Sequence, residues 1–580
     1  MVLPHLKRLL PFAAPLILLL LNTEFIAAHA PSPIPPPTTP LPRAEPSSDP
    51  LVARIYFSRP AEIMRLASKV DIWEVQHGAG YIVAAMERDQ FNKLRQDGYD
   101  LSVDEAKSAN FNYRPEPNPG QVSGIPSFPC YRTVEETYAD LEALSEAHPT
   151  LANWIDIGDS WEKITPAGQP GYDIFALVLT NQSEHFPSPK PKFFLMAAIH
   201  AREYATAELA ARFAEHLVAR YGVDADITWL LDYFEVHIVP ITNPDGRKLA
   251  EAGYYQRKNT NTANGSSCAV PPEPWDHYGT DLNRNHTFRW GGASPDACSE
   301  IYQGPSAASE PETQAIETYL STIFPDQRGP GDSEPAPPSS AGLLISLHSY
   351  GRLVLWPWGH TYQDPPNQSE LRALGHKLAY FNYYRPQQSS DLYPTTGDTT
   401  DFSYGELGVA ALTFEIGTDF FQDCNSFESA IYPDNLNALL YAFKGARLPY
   451  LSPSGPDSLS VGISPEPIQP DGNLLVTTTA DDSRFYPGVT VESIAAARYS
   501  IGGPSWTDEA QVFSLDAADG SFDSPIEALQ GAIDISSLSE GRHILFVESQ
   551  DASGYWGVPS AAFFWVAEPP LPLFLPLVGK

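Results

Sequence analysis

Two rhythms of apolar spacing run through the middle of this chain. Every position in residues 193–199 ("FFLMAAI") is apolar, the mark of a strand buried on both faces, whereas residues 204–217 carry apolar positions at helical spacing in an Ala-rich run. Strongly apolar strands recur in "GLLISLHSYGRLVLWPWG" and "VAALTFE". Toward the amino end the pattern is shorter: "LVARIYF", "AEIMRLAS", "DIWEV", "YIVAAM", "RDQFNKLRQDG" and "YDLSV" predict strand, helix, strand, strand, helix, strand. That order is a ferredoxin-like split βαβ. Toward the carboxyl end, "LLVTTTA", "AAARYSI", "HILFVESQD" and "AAFFWV" are separated by turn residues and predict an antiparallel β-sandwich.

Composition places the joints between these patterns. Pro/Ser/Thr-rich stretches favour exposed linkers and fall at 31–50, 111–128 and 451–470. They leave a ferredoxin-like domain at 51–110, a central α/β domain at 129–450 and a sandwich at 471–567. Residues 1–30 have a basic start, an apolar stretch broken by Pro11 and Pro15, and small residues around a cleavage point, so they predict a secretory signal peptide. The apolar run is short of the ~20 residues that a membrane span needs, and a mature chain without a transmembrane helix, secreted to the extracellular side, is expected. The apolar tail 568–580 is either a cell-surface sorting signal or a docked terminal strand. A net charge of -35 sets nucleic acid aside as a partner, because a phosphate backbone calls for a basic face.

Candidate chemistry gathers where the buried strands stop. The first long strand runs into His200 and Glu203 just before its helix, and the second delivers His348. Two imidazoles and one carboxylate, with a position left open for water, are the donor set of a catalytic zinc site. Open α/β sheets collect ligands at this carboxyl edge. A third apolar strand ends on Glu415.

With these residues on one edge, the segment 131–450 resembles the M14 family of zinc carboxypeptidases. The pieces that carry the resemblance come in the family's order: "IHAREYAT", "PITNPDG", "YQRKN", "TDLNRN", "SEPET", "SLHSYG", "DLYPTTGDTTDF" and "LTFEIG". It implies a mixed eight-stranded sheet with flanking helices, one Zn2+ per catalytic domain, and hydrolysis of the last peptide bond of peptides and proteins that have a free C-terminus. His200, Glu203 and His348 would bind the metal, which lowers the pKa of its water and polarises the scissile carbonyl. Asp281 would hold the far nitrogen of a ligand imidazole. Glu415 matches the general base and Arg257 the cation that faces the developing oxyanion. Asn283 and Arg284 would clamp the substrate carboxylate, and Tyr393 would close over it.

Specificity is less settled by the resemblance. Thr400 stands where the family carries a branched apolar residue or an acid, and Asp398 could accept a basic side chain or be tied up by backbone amides. Broad or dual preference is expected. Four cysteines allow three pairings. The resemblance implies Cys268 with Cys298, flanking an "LNRN" strand, and hence Cys130 with Cys424. Closing the shorter loop is worth roughly 3.5 kcal/mol by chain entropy. Ser309 and Glu312 predict a capping box at the start of a helix that runs to Phe324.

The ferredoxin-like domain, placed between a signal and an enzyme, is an inhibitory pro-segment or folding aid, or else a permanent accessory domain. Surface or carbohydrate contact is expected of the sandwich if it binds anything. Two other functions stay open: a related zinc hydrolase acting on cell-wall peptides or N-acyl amino acids, and a surface-binding protein with a vestigial site.

Overall fold

The computed structural model describes residues 50–566, apart from 60, 68, 113–118, 166–169, 184, 264, 274, 465–472 and 537. The expected signal peptide, residues 31–49 of the expected first linker and the apolar tail lie outside the described residues.

The amino-terminal unit has strands β1 (Pro50–Tyr56), β2 (Asp71–Gln76), β3 (Tyr81–Glu87) and β4 (Asp100–Val103) in the antiparallel order β2-β3-β1-β4. Helices Ala61–Ala67 and Arg88–Gln96 close the split βαβ pattern. Its apolar positions form a small core of Leu51, Ala53, Ile55, Ile63, Leu66, Phe91 and Leu94 among others. A further helix, Glu105–Asn112, extends into the region expected to be linker from residue 111.

The central unit is an eight-stranded mixed sheet. Its strands are β5 (Ala152–Asp159), β6 (Asp173–Leu179), β7 (Lys192–Met196), β8 (Glu235–Val239), β9 (Leu343–His348), β10 (Leu353–Trp356), β11 (Arg385–Gln388) and β12 (Ala410–Glu415), in the order β11-β10-β12-β9-β7-β8-β6-β5. The inner strands β12, β9, β7 and β8 are parallel. Being covered on both faces, they are apolar at nearly every position, and Phe193, Phe194, Leu343, Leu344 and Leu412 are fully buried. Parallel neighbours end on the same side, so β7, β9 and β12 deliver their carboxyl ends to one edge of the sheet. Helix Val134–Ala147 opens the unit with a capping box made by Thr133 and Glu136.

Two segments of the central unit differ from their sequence expectation. "LNRN" is a single 3-10 turn, Leu282–Arg284, capped by the Asp281 side chain, and not a strand. Ser309 and Glu312 do not form a capping box: helix Pro311–Ile323 starts after Glu310 without a side-chain cap. The Glu312 carboxylate instead accepts from the Trp161 backbone N–H (2.8 Å) and from Asn259 (3.1 Å). A buried carboxylate goes to the donors that can satisfy it, and here those come from other loops.

Disulfides join Cys268 to Cys298 and Cys130 to Cys424. The second spans 294 residues and fastens the start of the unit to the segment just beyond β12.

The carboxyl-terminal unit begins earlier than its composition indicates. Strand β13 (Asp457–Ser464) lies inside the stretch 451–470 expected to be a linker. It pairs with β14 (Asn473–Asp481), and β15 (Ile494–Ile501), β16 (Gln511–Ala517), β17 (Ile526–Asp534), β18 (Gly541–Asp551) and β19 (Ser560–Val566) complete the order β13-β14-β17-β16-β15-β18-β19. The outer strands β13 and β19 lie against each other, so the all-β unit is nearly closed around a core that includes Leu474, Tyr499, Leu545 and Phe564. Phe546 and Val558 belong to the central unit's core, with Trp506 packed against it. The two units therefore share an apolar interface.

Candidate active site

The edge where β7, β9 and β12 stop holds nearly all the ionisable residues the sequence singled out. Glu415 and His348 are register partners at the ends of β12 and β9. His200 follows β7, and Glu203 stands at the N-cap of helix Tyr204–Arg220. Nδ1 of His200 is 2.8 Å from Oε1 of Glu203 and 3.0 Å from Nδ1 of His348, and Nδ1 of His348 is 3.4 Å from Oε2 of Glu203. One donor atom from each of the three residues lies within 4.8 Å of the others.

This set fits a divalent zinc ion. Among the described residues Oε2 of Glu203 has no hydrogen-bond partner although the residue is 1% exposed, and the ring nitrogens of His200 and His348 lie 3.0 Å apart beside it. A buried carboxylate oxygen without a partner is rare, and a cation shared with the two imidazoles would satisfy it. The distant Nε2 of His200 lies 3.2 Å from Oδ1 of Asp281, the carboxylate support expected behind a ligand imidazole.

Charges around the site pull in opposite directions. Burial alone would raise the Glu203 carboxyl, but His200 and His348 outweigh it and hold the group far below its usual range. Asp281 is likewise held well below normal, against its burial, by Arg257, Arg284 and His200. Burial, followed by repulsion from Glu203, pushes Glu415 well above its usual range, and Arg257 and Arg284 offset only part of this. A cation held at Glu203 would oppose that push.

Arg257 donates from Nε to Oδ2 of Asp281 at 3.0 Å, which fixes its guanidinium at the cleft. Arg284, 4% exposed, donates to the carbonyl of Asn283 (2.6 Å) and to the hydroxyl of Tyr393 (3.2 Å). Among the described residues it has no carboxylate partner. Asn283 is held by Thr399, whose N–H (3.0 Å) and hydroxyl (3.1 Å) donate to its side-chain oxygen. Asp398 and Thr400 line the same cleft. The Asp398 carboxylate accepts from the Asp401 N–H (2.8 Å), the Thr400 hydroxyl (2.9 Å) and the Thr395 hydroxyl (3.1 Å), so it caps helix Thr399–Leu407 and tightens the pocket floor.

Sequence reasoning did not assign the wall opposite. Arg202, Tyr350 and Phe420 line the cleft, with the Arg202 guanidinium 4.0 Å over the Phe420 ring. Ile72 and Trp73 of the amino-terminal unit line it too. Trp73 meets Phe420 edge-on at 5.4 Å and Tyr350 at 6.4 Å. Leu392 and Tyr393 pack against the amino-terminal core, and the His77 ring bonds to the Asp391 carbonyl. No signal in "DIWEV" marks Trp73 as a cleft residue, since an aromatic at that position is an ordinary core or surface choice.

Comparison with known proteins agrees with this geometry. The family model described as "Zinc carboxypeptidase" matches residues 137–436, more than half of the chain. Zinc carboxypeptidase A 1 of Anopheles gambiae is 27% identical over 366 residues, which is 61% of this chain and 74% of that protein. Carboxypeptidase A2 of Mus musculus is 29% identical over 301 residues, 50% of this chain and 63% of the relative. The crystal structure of the carboxypeptidase A from Helicoverpa armigera superposes with a TM-score of 0.53 at 20% identity, covering 69% of this chain and 97% of its own, and so shares the fold. The chain belongs to the zinc carboxypeptidase family and is a metallocarboxypeptidase, a peptide hydrolase.

Proposed function

We propose that this is a secreted exopeptidase, released from inhibition by its own amino-terminal domain, that removes single residues from the free carboxyl ends of peptides. The observation that carries this reading is Arg284: a buried guanidinium without a carboxylate partner among the described residues, beside the candidate metal ligands and under Tyr393. Asp281 and Glu415 feel its charge, yet none of the described carboxylates is at ion-pair distance, so its fork is open to a ligand's carboxylate. The α-carboxylate of a peptide end suits its planar fork, and an endopeptidase would have no use for it.

His200, Glu203 and His348 would hold the zinc ion, which supplies Lewis acidity and lowers the pKa of a water. Glu415 takes the proton of the attacking water and passes it to the leaving amine. Arg257, locked by Asp281, faces the charge that builds on the carbonyl oxygen. Asn283 and Arg284 fix the substrate end, and the Tyr393 hydroxyl, now on Arg284, moves to the bound carboxylate. Thr400, Thr413, Ser389 and the capped Asp398 give the side-chain pocket a polar floor that accepts apolar and basic residues alike. Two disulfides in the described residues support an oxidising, extracellular setting.

The test is to measure bound zinc and compare cleavage of peptides ending in Phe, Leu, Lys, Arg or Glu with the same peptides amidated. Free ends should be cut and amides spared, with Leu and Lys within roughly tenfold of each other. Indifference to amidation would reject the exopeptidase reading, and a metal-free active enzyme would reject the site.

Inhibition by the amino-terminal domain is supported by the size of the cleft. Its free volume is about 70 Å³, enough for a few waters, whereas ligand clefts run to roughly 300–1,000 Å³. A protease site inserted at 119–122 and then cut should raise kcat/KM at least about tenfold, and Trp73→Ala should give part of that gain in the uncut chain. If the intact and cut chains are equally active, the domain is an accessory and not an inhibitor.

A further inference from the structure

A second cavity, of about 540 Å³, lies where the end of the central unit meets the carboxyl-terminal β unit. One wall comes from the turn after helix Tyr432–Gly445, with Arg447 and Ser452, and the other from loops of the β unit. The site is built around two guanidiniums. Arg447 lies 4.4 Å over the ring of Trp506, and Arg498 lies 3.9 Å over the ring of Trp556. Trp506 is itself stacked on Phe234 at 6.4 Å and meets Trp229 edge-on at 6.1 Å, so its ring is anchored in the central core.

The charges in this cavity do not cancel. Arg498 gives its Nε to Oε2 of Glu548 at 2.9 Å, on the neighbouring strand. Its two terminal nitrogens have no acceptor among the described residues. Arg447 has no carboxylate within ion-pair distance among them, and burial, reinforced by Arg498 and only partly opposed by Glu548, lowers its pKa. Two half-buried guanidiniums facing one carboxylate leave this cavity with an excess of positive charge in a chain of net charge -35, a setting that favours an anionic ligand. The volume far exceeds a carboxylate alone, and the hydroxyl-bearing residues Ser452, Ser505, Ser553 and Tyr555 are part of the lining.

We infer that this cavity binds an acidic saccharide, with the carboxylate of a uronic acid between Arg447 and Arg498 and the sugar hydroxyls on the serine and tyrosine rim. Planar carboxylates suit the guanidinium fork, and a hydroxyl-rich rim suits a sugar ring better than an apolar peptide side chain. The site would hold the enzyme on an acidic glycan and leave the catalytic cleft free.

The test uses the full chain and follows tryptophan fluorescence and titration calorimetry with glucuronate, a trimer of galacturonate, an acidic tripeptide, glucose and sodium sulfate at matched ionic strength. Glucuronate and the trimer should bind and glucose should not. Tighter binding of the trimer would identify a polymer, and equal binding a single sugar end. Arg447→Met keeps the stacking volume, and should weaken uronate binding by about tenfold or more while peptidase activity and Tm stay the same; Arg447→Lys should restore part of it. Sulfate that binds as tightly as glucuronate, preferential binding of an acidic tripeptide, or undiminished binding by a folded Arg447→Met variant would each overturn the inference.

Discussion

Glu415→Gln will keep its zinc and lose its turnover. The carboxylate stands in register with His348, at the end of the strand beside the one that carries this ligand, and it opens onto the cleft. An amide of the same shape cannot take a proton from water, and general-base contributions run to about 10²–10⁴ in rate. The loss should fall on kcat, with KM changed little, because no contact to the substrate's carboxylate is removed. Stability separates this outcome from damage. Glu415 is pushed well above its ordinary pKa by burial and by Glu203, so a neutral amide removes a repulsion, and the metal-free variant should melt no lower than the parent. Turnover within threefold of the parent at equal zinc content would remove Glu415 from the mechanism.

The placement of Glu415 also shows what the sequence made legible. Nearly continuous apolar runs predicted β7, β9 and β12, because strands covered on both faces have few polar positions, here Ser346 and Thr413, before the end that reaches the cleft, where His348 and Glu415 stand. His200 and Glu203 were legible by the same logic. Arg257, Asn283, Arg284 and Tyr393 sit on turns and loops without periodicity, and only the ordered set of motifs pointed to them. Two kinds of feature stayed hidden. The 451–470 stretch has a loop's composition, yet it contributes β13, because pairing with β14 supplies order that composition does not. Trp73 enters the cleft only through the docking of one unit on another, and a local pattern carries no trace of that contact. The Ser309–Glu312 box failed for a related reason: helix-start chemistry is local, while Glu312 was claimed by Trp161, 151 positions away.

Arg284→Met should abolish the distinction between a free and an amidated peptide end. Truncating one partner of a buried, hydrogen-bonded charge pair costs about 2–5 kcal/mol, so kcat/KM on free peptides should fall by roughly 10²–10³. Methionine fills most of the guanidinium's volume and has no charge, and Arg284 is in no ion pair among the described residues, so no carboxylate is stranded by its removal. The slow cleavage of amidated peptides should stay where it was, since that reaction never used the cation. Tyr393→Phe should give a smaller loss, about tenfold, on the same free peptides, because Asn283 and Arg284 would still hold the carboxylate. The two variants make the argument directional: a general loosening of the cleft lowers cleavage of both substrates together, whereas a lost carboxylate clamp lowers only one. Equal losses on free and amidated peptides would leave Arg284 as a structural cation and reject its role as a carboxylate clamp.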